Sequence, residues 1–277
     1  MLLGDALTSC LIAAVFGSCA ILGLRYAFYI AFYERIRLYL RRRGAGYEMY
    51  TPVVTEELWE GLGSAAIVAL GSWALYAGHN MRCTMADTSG CLAGWPHHHL
   101  PWTLDALFLL QLAWYMQCTT KHWFGLGRVT GLDAALHHAF TLALLAMSYV
   151  LQLLRIGLLA HWIFVVTNPL LSASKLLHCL DVRPGKKAFF VLFTAAYFAT
   201  RVVMVPAVLL PCTLVDAWSV PLDPRAAVAA NGFLLLLYGL SLFWFGRLLG
   251  ILFTGKLDAT PRMVATAAEV RRWQKSQ

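Results

Sequence analysis

Two adjacent histidines in an apolar segment are the first residues of this sequence that suggest chemistry. His137 and His138 come one helical turn after Asp133, so a helix would place that carboxylate on the same face as the first imidazole. A carboxylate so placed can orient an imidazole and raise its basicity, as in general-base and nucleophilic sites. Histidines in such a segment can also simply bond to neighbouring helices. The adjacency of the pair and the nearby carboxylate favour a functional interpretation.

A second group of polar residues recurs along the next apolar segment. His161, Asn168 and Lys175 follow one another at intervals of seven residues, which predicts roughly one face of a helix. Arg155 lies at the start of this segment. Polar groups inside membrane helices are costly and usually face a cavity or a partner, so this face is another candidate for function.

The histidine and cysteine patterns do not indicate a metal site. His97, His98 and His99 form a consecutive run beside prolines, which is more typical of a polar loop. The seven cysteines include no CxxC pair, so neither a zinc site nor a disulfide scaffold is indicated. Cys83 and Cys91 share one polar loop, where a disulfide can form if the loop faces an oxidising compartment. The sequence leaves both states of that pair open.

The composition places these residues in a membrane protein. Hydrophobic residues make up 60% of the chain and charged residues 13%, with a mean hydropathy of +0.64. Soluble domains carry about 25% charged residues. The net charge of +8 is scattered over short connections between apolar runs, so we expect no nucleic-acid partner. We predict an all-α integral membrane protein with about seven transmembrane helices.

Each apolar run offers the length of about 20 residues that a bilayer crossing needs. We predict seven spans, at about residues 6–32, 58–77, 103–120, 132–151, 156–171, 188–210 and 226–253. The connections after the first, third and fifth spans, together with the C-terminus, hold most of the Lys and Arg residues. The positive-inside rule therefore predicts a cytosolic C-terminus and places Cys83 and Cys91 on the opposite, oxidising side.

Several short motifs occur at fixed spacing around the two histidines. They are His137-His138, Ser148-Tyr149, Arg155-Ile156-Gly157, Leu170-Leu171 with Lys175, and Thr200-Arg201, with Thr55-Glu56-Glu57-Leu58-Trp59 and Gly94-Trp95-Pro96 upstream. This pattern resembles the ceramide synthase branch of the TLC-domain family. The resemblance covers about residues 55–253 and is strongest through the fourth and fifth spans.

The resemblance implies a TLC-type helical bundle that encloses a lipid-chain cavity in the endoplasmic reticulum membrane. It implies transfer of a fatty acyl group from acyl-CoA, as co-substrate without any bound cofactor, to the amine of a sphingoid base. Membrane lipids are further expected partners, and a homodimer or heterodimer is left open. The expected domains are an N-terminal anchor (1–54), a TLC-like domain of about six spans (55–254) and a basic cytosolic tail (255–277).

The candidate site residues follow from the two helix faces and the resemblance together. The catalytic candidates are Asp133, His137, His138, His161 and Asn168, and the substrate-binding candidates are Tyr149, Arg155, Lys175 and Arg201. Cations on the predicted cytosolic side are candidates to hold the CoA phosphates. They are Lys121, Arg128, Lys175, Arg183, Lys186 and Lys187. The positive-inside bias alone also accounts for any single one of them.

Two departures from the family pattern leave the activity open. Where the ceramide synthase pattern has His-Asp-x-Ser-Asp and a following Glu, this sequence has Phe164-Val165, Thr167-Asn168 and Ser172. Val165 cannot ionise, and Asn168 keeps only the hydrogen bonds of an acid. The alternative is therefore a non-catalytic TLC protein that binds, senses or regulates membrane lipids or escorts membrane proteins. A channel or transporter is less favoured, because the fourth to sixth spans lack paired carboxylates.

Overall fold

The computed structural model describes residues 2–78, 82–96, 101–127 and 131–254, without the side chains of residues 2–7, 45 and 183. The run His97-His98-His99, Arg128 and the basic tail from residue 255 lie outside the described residues, as does the side chain of Arg183. The α-helices in the described part are α1 (Leu2–Arg43), α2 (Thr51–Trp73), α3 (Trp102–Thr120), α4 (Leu132–Val150), α5 (Leu154–Val165), α6 (Asn168–Cys179), α7 (Arg183–Tyr197), α8 (Leu210–Leu214) and α9 (Pro224–Thr254).

These helices form seven long rods within the described ranges, because α5 continues into α6 and α7 continues into α8. Five rods are long and apolar enough to cross a bilayer. They are Thr8–Arg43, Gly46–Gly78, Leu154–Cys179, Pro184–Ser219 and Pro224–Thr254. The other two rods, α3 and α4, have 19 residues each. The described residues contain no strand, and the protein is an all-α membrane protein.

The first rod is longer than the apolar run that predicts it. We expect the span to end near residue 32, yet α1 continues through the basic stretch to Arg43. Glu34 and Arg37 are paired one turn apart at 2.8 Å on this extension. Three arginines occupy its last turn, where cations stabilise the carbonyl end of a helix.

The centre of the bundle is α5, which is buried on almost every side. A helix that is apolar all round belongs in the interior. Gly157 allows its close approach to α3 and α4. A Cβ at this position would lie 2.8 Å from the Cβ of Ser148 and 3.0 Å from Phe108. This contact explains why a glycine stands in the Arg155-Ile156-Gly157 motif.

The sixth rod contains a wide helical segment. Residues Phe198–Leu209 between α7 and α8 form a π-helix that includes Pro206 and Arg201. Proline has no backbone N–H, and its ring clashes with the carbonyl one turn earlier in a regular α-helix. The wider turn accommodates Pro206, and π-helical turns are common at functional sites.

The two ends of the bundle differ in chemistry. At one end, the disulfide end, Cys83 and Cys91 are joined in a loop after α2. Arg155 donates to the carbonyls of Gly90 at 2.9 Å and Ala93 at 3.3 Å in this loop. The opposite end, the basic end, holds the C-terminus of α1, the end of α3 and the connection between α6 and α7. Arg43 donates there to the carbonyl of Leu180 at 3.1 Å.

Candidate active site

A polar cavity of about 710 Å³ opens at the basic end, between α2, α3, α4, α6, the π-helical rod and α9. The cavity brings together most of the residues that the sequence singles out. They are Asp133, His137, His138, Asn168, Lys175 and Arg201.

The imidazole pair lies on the wall formed by α4. The ring centres of His137 and His138 are 5.7 Å apart, and His137 is buried with Trp244 of α9 at 5.1 Å. The Nδ1 atoms of both rings are buried without a hydrogen-bond partner. The Nδ1 atom of each ring is therefore in the protein interior, and both histidines line the cavity.

Asp133 does not orient His137 as its spacing suggests. Its Oδ2 accepts a hydrogen bond from the indole Nε1 of Trp244 at 2.7 Å and lies 3.7 Å from Arg247. Trp244 in turn contacts His137, so the indole lies between the carboxylate and the imidazole. Trp244 belongs to α9, which is far from α4 in the sequence. The spacing of residues within α4 could therefore not predict this contact.

Asn168 and Arg201 form the wall opposite the histidines. Asn168 begins α6, and its Oδ1 accepts from Arg201 Nη2 at 3.2 Å. Arg201 also donates to the carbonyl of Phe164 and stacks over Tyr197 at 4.7 Å. The Tyr115 side chain is hydrogen-bonded to Asn168, and its ring lies 5.7 Å from that of His138. A neutral amide held by a buried cation thus occupies a position where the ceramide synthase pattern has an acid.

Three of the sequence candidates lie outside this cavity. The helix is interrupted between Val165 and Asn168, so residues at the sevenfold spacing do not share one face. His161 does not line the polar cavity, and its ring centre lies 5.2 Å from that of Tyr115. Tyr149 packs on Phe108, and Arg155 binds the disulfide loop. Within the described part of the chain, no three His, Cys, Asp or Glu side chains are close enough to hold a metal ion.

Comparison with known proteins assigns this architecture. Residues 54–250 match the model of the TLC domain. The chain belongs to the TLC-domain family. Similar proteins identify its ceramide synthase-like branch. They include ceramide synthase 5 of Homo sapiens, 28% identical over 159 residues, which are 57% of this chain and 40% of that protein.

Two further relatives give the same picture. Ceramide synthase 4 of Bos taurus is 32% identical over 127 residues, which are 46% of this chain and 32% of the relative. Ceramide synthase hyl-1 of Caenorhabditis elegans is 27% identical over 173 residues, which are 57% of this chain and 46% of the relative. The chain thus spans less than half the length of these relatives.

A buried charge cluster beside the TLC cavity includes two residues, Arg25 and Glu60, that are absent from the sequence-based predictions. It consists of Arg25, Glu56, Glu60 and Lys121. Arg25 is fully buried and binds Glu56, Glu60 at 3.1 Å and the amide oxygen of Gln117 at 3.0 Å. Lys121 lies 2.5 Å from Glu56 and 2.8 Å from Glu60. Two cations and two carboxylates balance, as buried charges require.

This cluster links α1, which precedes the TLC match, to the wall of the cavity, where Glu56, Glu60 and Lys121 are exposed to the interior space. Arg25 stands alone as a charged residue within the apolar run of the first span. That isolation is the signal that could have revealed it. Lys121, one of the cations predicted to bind the CoA phosphates, is held by the two carboxylates of this cluster.

A further carboxylate lies beside Ser172, a third position where the ceramide synthase pattern has an acid. Glu57 accepts from Ser172 Oγ at 3.0 Å and from Lys175 Nζ at 3.0 Å. Position 172 is where the ceramide synthase pattern has its later Glu. The cavity therefore has a carboxylate at this place, supplied by α2 instead of α6.

Proposed function

We propose that this protein is a ceramide synthase-like N-acyltransferase, which moves a fatty acyl group from acyl-CoA to the amine of a sphingoid base. The observation that carries the proposal is the adjacent imidazole pair on the wall of a large polar cavity, in a chain of the ceramide synthase-like branch. Tyr115 and Asn168 on the opposite wall complete a site that can hold a reacting carbonyl between donors and bases.

The reaction assigns a task to each wall. The sphingoid amine attacks the thioester carbonyl, and His137 or His138 accepts the proton that the nitrogen loses. An imidazole can alternatively attack the thioester first, forming an acyl-imidazole that the amine then opens. In both routes the C–S bond breaks, a C–N bond forms, and the thiolate takes up the proton. The Tyr115 hydroxyl and the Asn168 amide are the proposed donors to the developing oxyanion.

The acyl chain is assigned to a second, apolar cavity. His137, Thr141 and Leu145 lie on one buried face of α4, and this face leads from the imidazole toward the disulfide end. The apolar cavity is lined there by Leu144, Leu145 and residues of α5 and α9. We propose that a chain attached to a carbonyl at His137 follows this face into the apolar cavity.

The CoA phosphates are assigned to cations at the mouth of the polar cavity. Lys175 and Arg247 line it, and Arg247 is mostly exposed. Lys186 is paired with Asp181 at 2.5 Å. We place the protein in the endoplasmic reticulum membrane with the basic end and the C-terminus in the cytosol, where acyl-CoA is available. A homodimer or heterodimer stays a prediction from the resemblance.

Substitution of the imidazoles tests the proposal. Purified protein is given labelled acyl-CoA of short, long and very long chains together with sphinganine. We expect His137→Ala and His138→Ala to lower ceramide formation by about a hundredfold or more, the usual worth of a general base. His178→Ala removes an exposed histidine of α6 outside the cavity lining and should leave the rate unchanged. Wild-type product no higher than the His137→Ala background, at every chain length, would overturn the enzyme proposal.

The replacement of acids at positions 165 and 168 favours one other function, a TLC protein that binds or senses lipid without catalysis. The bond between Asp133 and Trp244 supports it as well, since the carboxylate is not applied directly to an imidazole. In that case the same protein binds acyl-CoA or free lipid, and no ceramide accumulates in the assay.

A further inference from the structure

The apolar cavity is lined by several buried polar side chains with atoms that have no hydrogen-bond partner in the described part of the protein. It has a volume of about 90 Å³ and lies between α4, α5 and α9, with leucines and Phe164 forming most of its surface. Among the described residues that line it, none is charged. An uncharged, largely apolar chamber of this kind suits hydrocarbon.

Five polar side chains nevertheless line this chamber, and three of them, on three different helices, have side-chain atoms without a hydrogen-bond partner. These three are Thr141 of α4, His161 of α5 and Asn231 of α9, with exposed fractions of 6%, 5% and 9%. Thr141 Oγ1, both ring nitrogens of His161 and Asn231 Oδ1 have no hydrogen-bond partner. The Asn231 amide is held in place because its nitrogen donates to the carbonyl of Thr213 at 3.1 Å.

Buried polar atoms are nearly always hydrogen-bonded, since leaving one unpaired in apolar surroundings is costly. Atoms on three helices around one chamber point to a shared partner inside it. A hydroxyl both donates and accepts, so it can satisfy a threonine oxygen, a neutral imidazole and an amide carbonyl. A carboxylate or an ammonium ion would find no counter-ion on these walls.

We propose that the chamber is a subsite for an acyl chain that carries a hydroxyl group along its length, recognised by Thr141, His161 and Asn231. This inference rests on the proposed function, because it takes the acyl chain to extend from His137 into the chamber. It narrows the acyl substrate from fatty chains in general to hydroxylated ones.

The position of the hydroxyl along the chain follows from the helix geometry. Thr141 lies one turn beyond His137 on α4, which is about 6 Å along the axis. A hydroxyl next to the carbonyl would remain near the imidazole, and one at the far end would pass beyond the chamber. The preference should therefore peak for a hydroxyl several carbons from the thioester.

Binding without turnover tests the subsite. Purified protein receives stearoyl-CoA or one of a set of stearoyl-CoA isomers with a single hydroxyl at successive positions, with no sphingoid base present, and affinity is read by the shift of its thermal unfolding. We expect one isomer to bind about tenfold more tightly than plain stearoyl-CoA, the worth of one or two neutral hydrogen bonds in a dry site. Thr141→Val and Asn231→Leu should abolish this preference and strengthen binding of the plain chain.

Thr194→Val is the matched control, because it removes a buried hydroxyl that already donates to the Phe190 carbonyl at 2.8 Å outside the chamber lining. It should keep the preference. Equal affinity of wild type for plain and hydroxylated chains would overturn the subsite and indicate that water satisfies these atoms. That comparison decides the matter even if a variant fails to fold. A hydroxyl preference in protein that makes no ceramide would retain the subsite and overturn the enzyme proposal instead.

Discussion

Asn168 places a neutral amide where a carboxylate would change the electrostatics of the whole site. Its partner Arg201 is 4% exposed and is otherwise stabilised by the Phe164 carbonyl and by the ring of Tyr197. Hydrogen bonds between a guanidinium and a carboxylate are about twice as strong as those between neutral groups. A single change at residue 168 can therefore alter both the stability and the chemistry of the cavity.

We expect Asn168→Asp to raise ceramide formation about tenfold, by giving Arg201 an anionic partner and the site an ionisable group opposite the imidazoles. The thermal unfolding midpoint should rise as well. Asn168→Leu removes both the acceptor and the amide and should lower both quantities. Initial rates and unfolding curves of the three proteins decide it, and an Asp variant slower than wild type would contradict the prediction.

The other replaced acid is not equivalent. Val165 is 3% exposed and belongs to the apolar core instead of the cavity. A carboxylate there would be buried among apolar side chains, at a cost of several kcal/mol unless it is neutralised. The ceramide synthase pattern has an acid at both positions, 165 and 168. The structure separates them, because of the two only residue 168 lines the polar cavity.

Residue types and spacing predict the imidazole pair and Asn168 because these lie within single apolar segments. The partners of these residues could not be predicted in this way. Trp244 reaches Asp133 from another helix, and Tyr115 reaches Asn168 from α3. Such contacts depend on helix packing, which a single sequence does not encode locally.

At the scale of the elements, α1 is joined to the TLC domain through the side chains of Arg25 and Tyr29, which both contact Glu56. Arg25 connects it to both carboxylates of α2 in the charge cluster. Without Arg25, two buried carboxylates would share the single cation of Lys121. The helix that precedes the TLC match therefore packs against residues of the cavity wall through this charge cluster.

We expect Arg25→Met to destabilise the protein by about 3–5 kcal/mol, the cost of removing one partner from a buried ion pair. Adding Glu56→Gln restores neutrality and should recover much of this loss. Arg35→Met on the exposed part of α1 is the control and should change stability by about 0.5 kcal/mol or less. Denaturation in detergent gives the free energy of unfolding of all four proteins. A double variant no more stable than Arg25→Met would contradict the charge-balance argument.

The close contact at Gly157 makes a second prediction about element packing. A methyl group at this position would force α5 away from Ser148 and Phe108, so Gly157→Ala should cost about 1–3 kcal/mol. In α9, a Cβ at Gly232 would meet no atom within 4 Å. Gly232→Ala should therefore be neutral or stabilising by up to about 1 kcal/mol, because alanine favours the helix. Equal effects of the two substitutions in thermal unfolding would show that the contact does not restrict α5.

The apolar runs predict where the rods lie, but not their interruptions. The break between α5 and α6 and the π-helix around Pro206 both occur inside runs that read as continuous. Each interruption lies beside a residue of the cavity wall, Asn168 in one case and Arg201 in the other. A proline also lies at each interruption, Pro169 in the first turn of α6 and Pro206 within the π-helix, and proline disrupts a regular α-helix.

At the scale of the whole molecule, the two ends are suited to different compartments. The disulfide between Cys83 and Cys91 lies at one end, and disulfides persist in oxidising compartments. Basic side chains and the mouth of the polar cavity lie at the other end, as the positive-inside rule requires of a cytosolic face. The proposed use of acyl-CoA requires a site that opens to the cytosol, which is the orientation that the charge asymmetry predicts.

We therefore expect an epitope at the C-terminus to bind antibody after selective permeabilisation of the plasma membrane, and an epitope in the loop between Cys83 and Cys91 to bind only after all membranes are opened. The loop thiols provide a second readout of the same orientation. After free thiols are blocked in intact cells, Cys83 and Cys91 should be alkylated only once the protein has been reduced. Cys19, which is not in a disulfide, is the internal control, because it should be alkylated without reduction. Equal antibody access to both epitopes would contradict this orientation, which places the C-terminus and the loop on opposite membrane faces. Full alkylation of the loop cysteines without reduction would also contradict it, because a loop in an oxidising compartment should keep its disulfide.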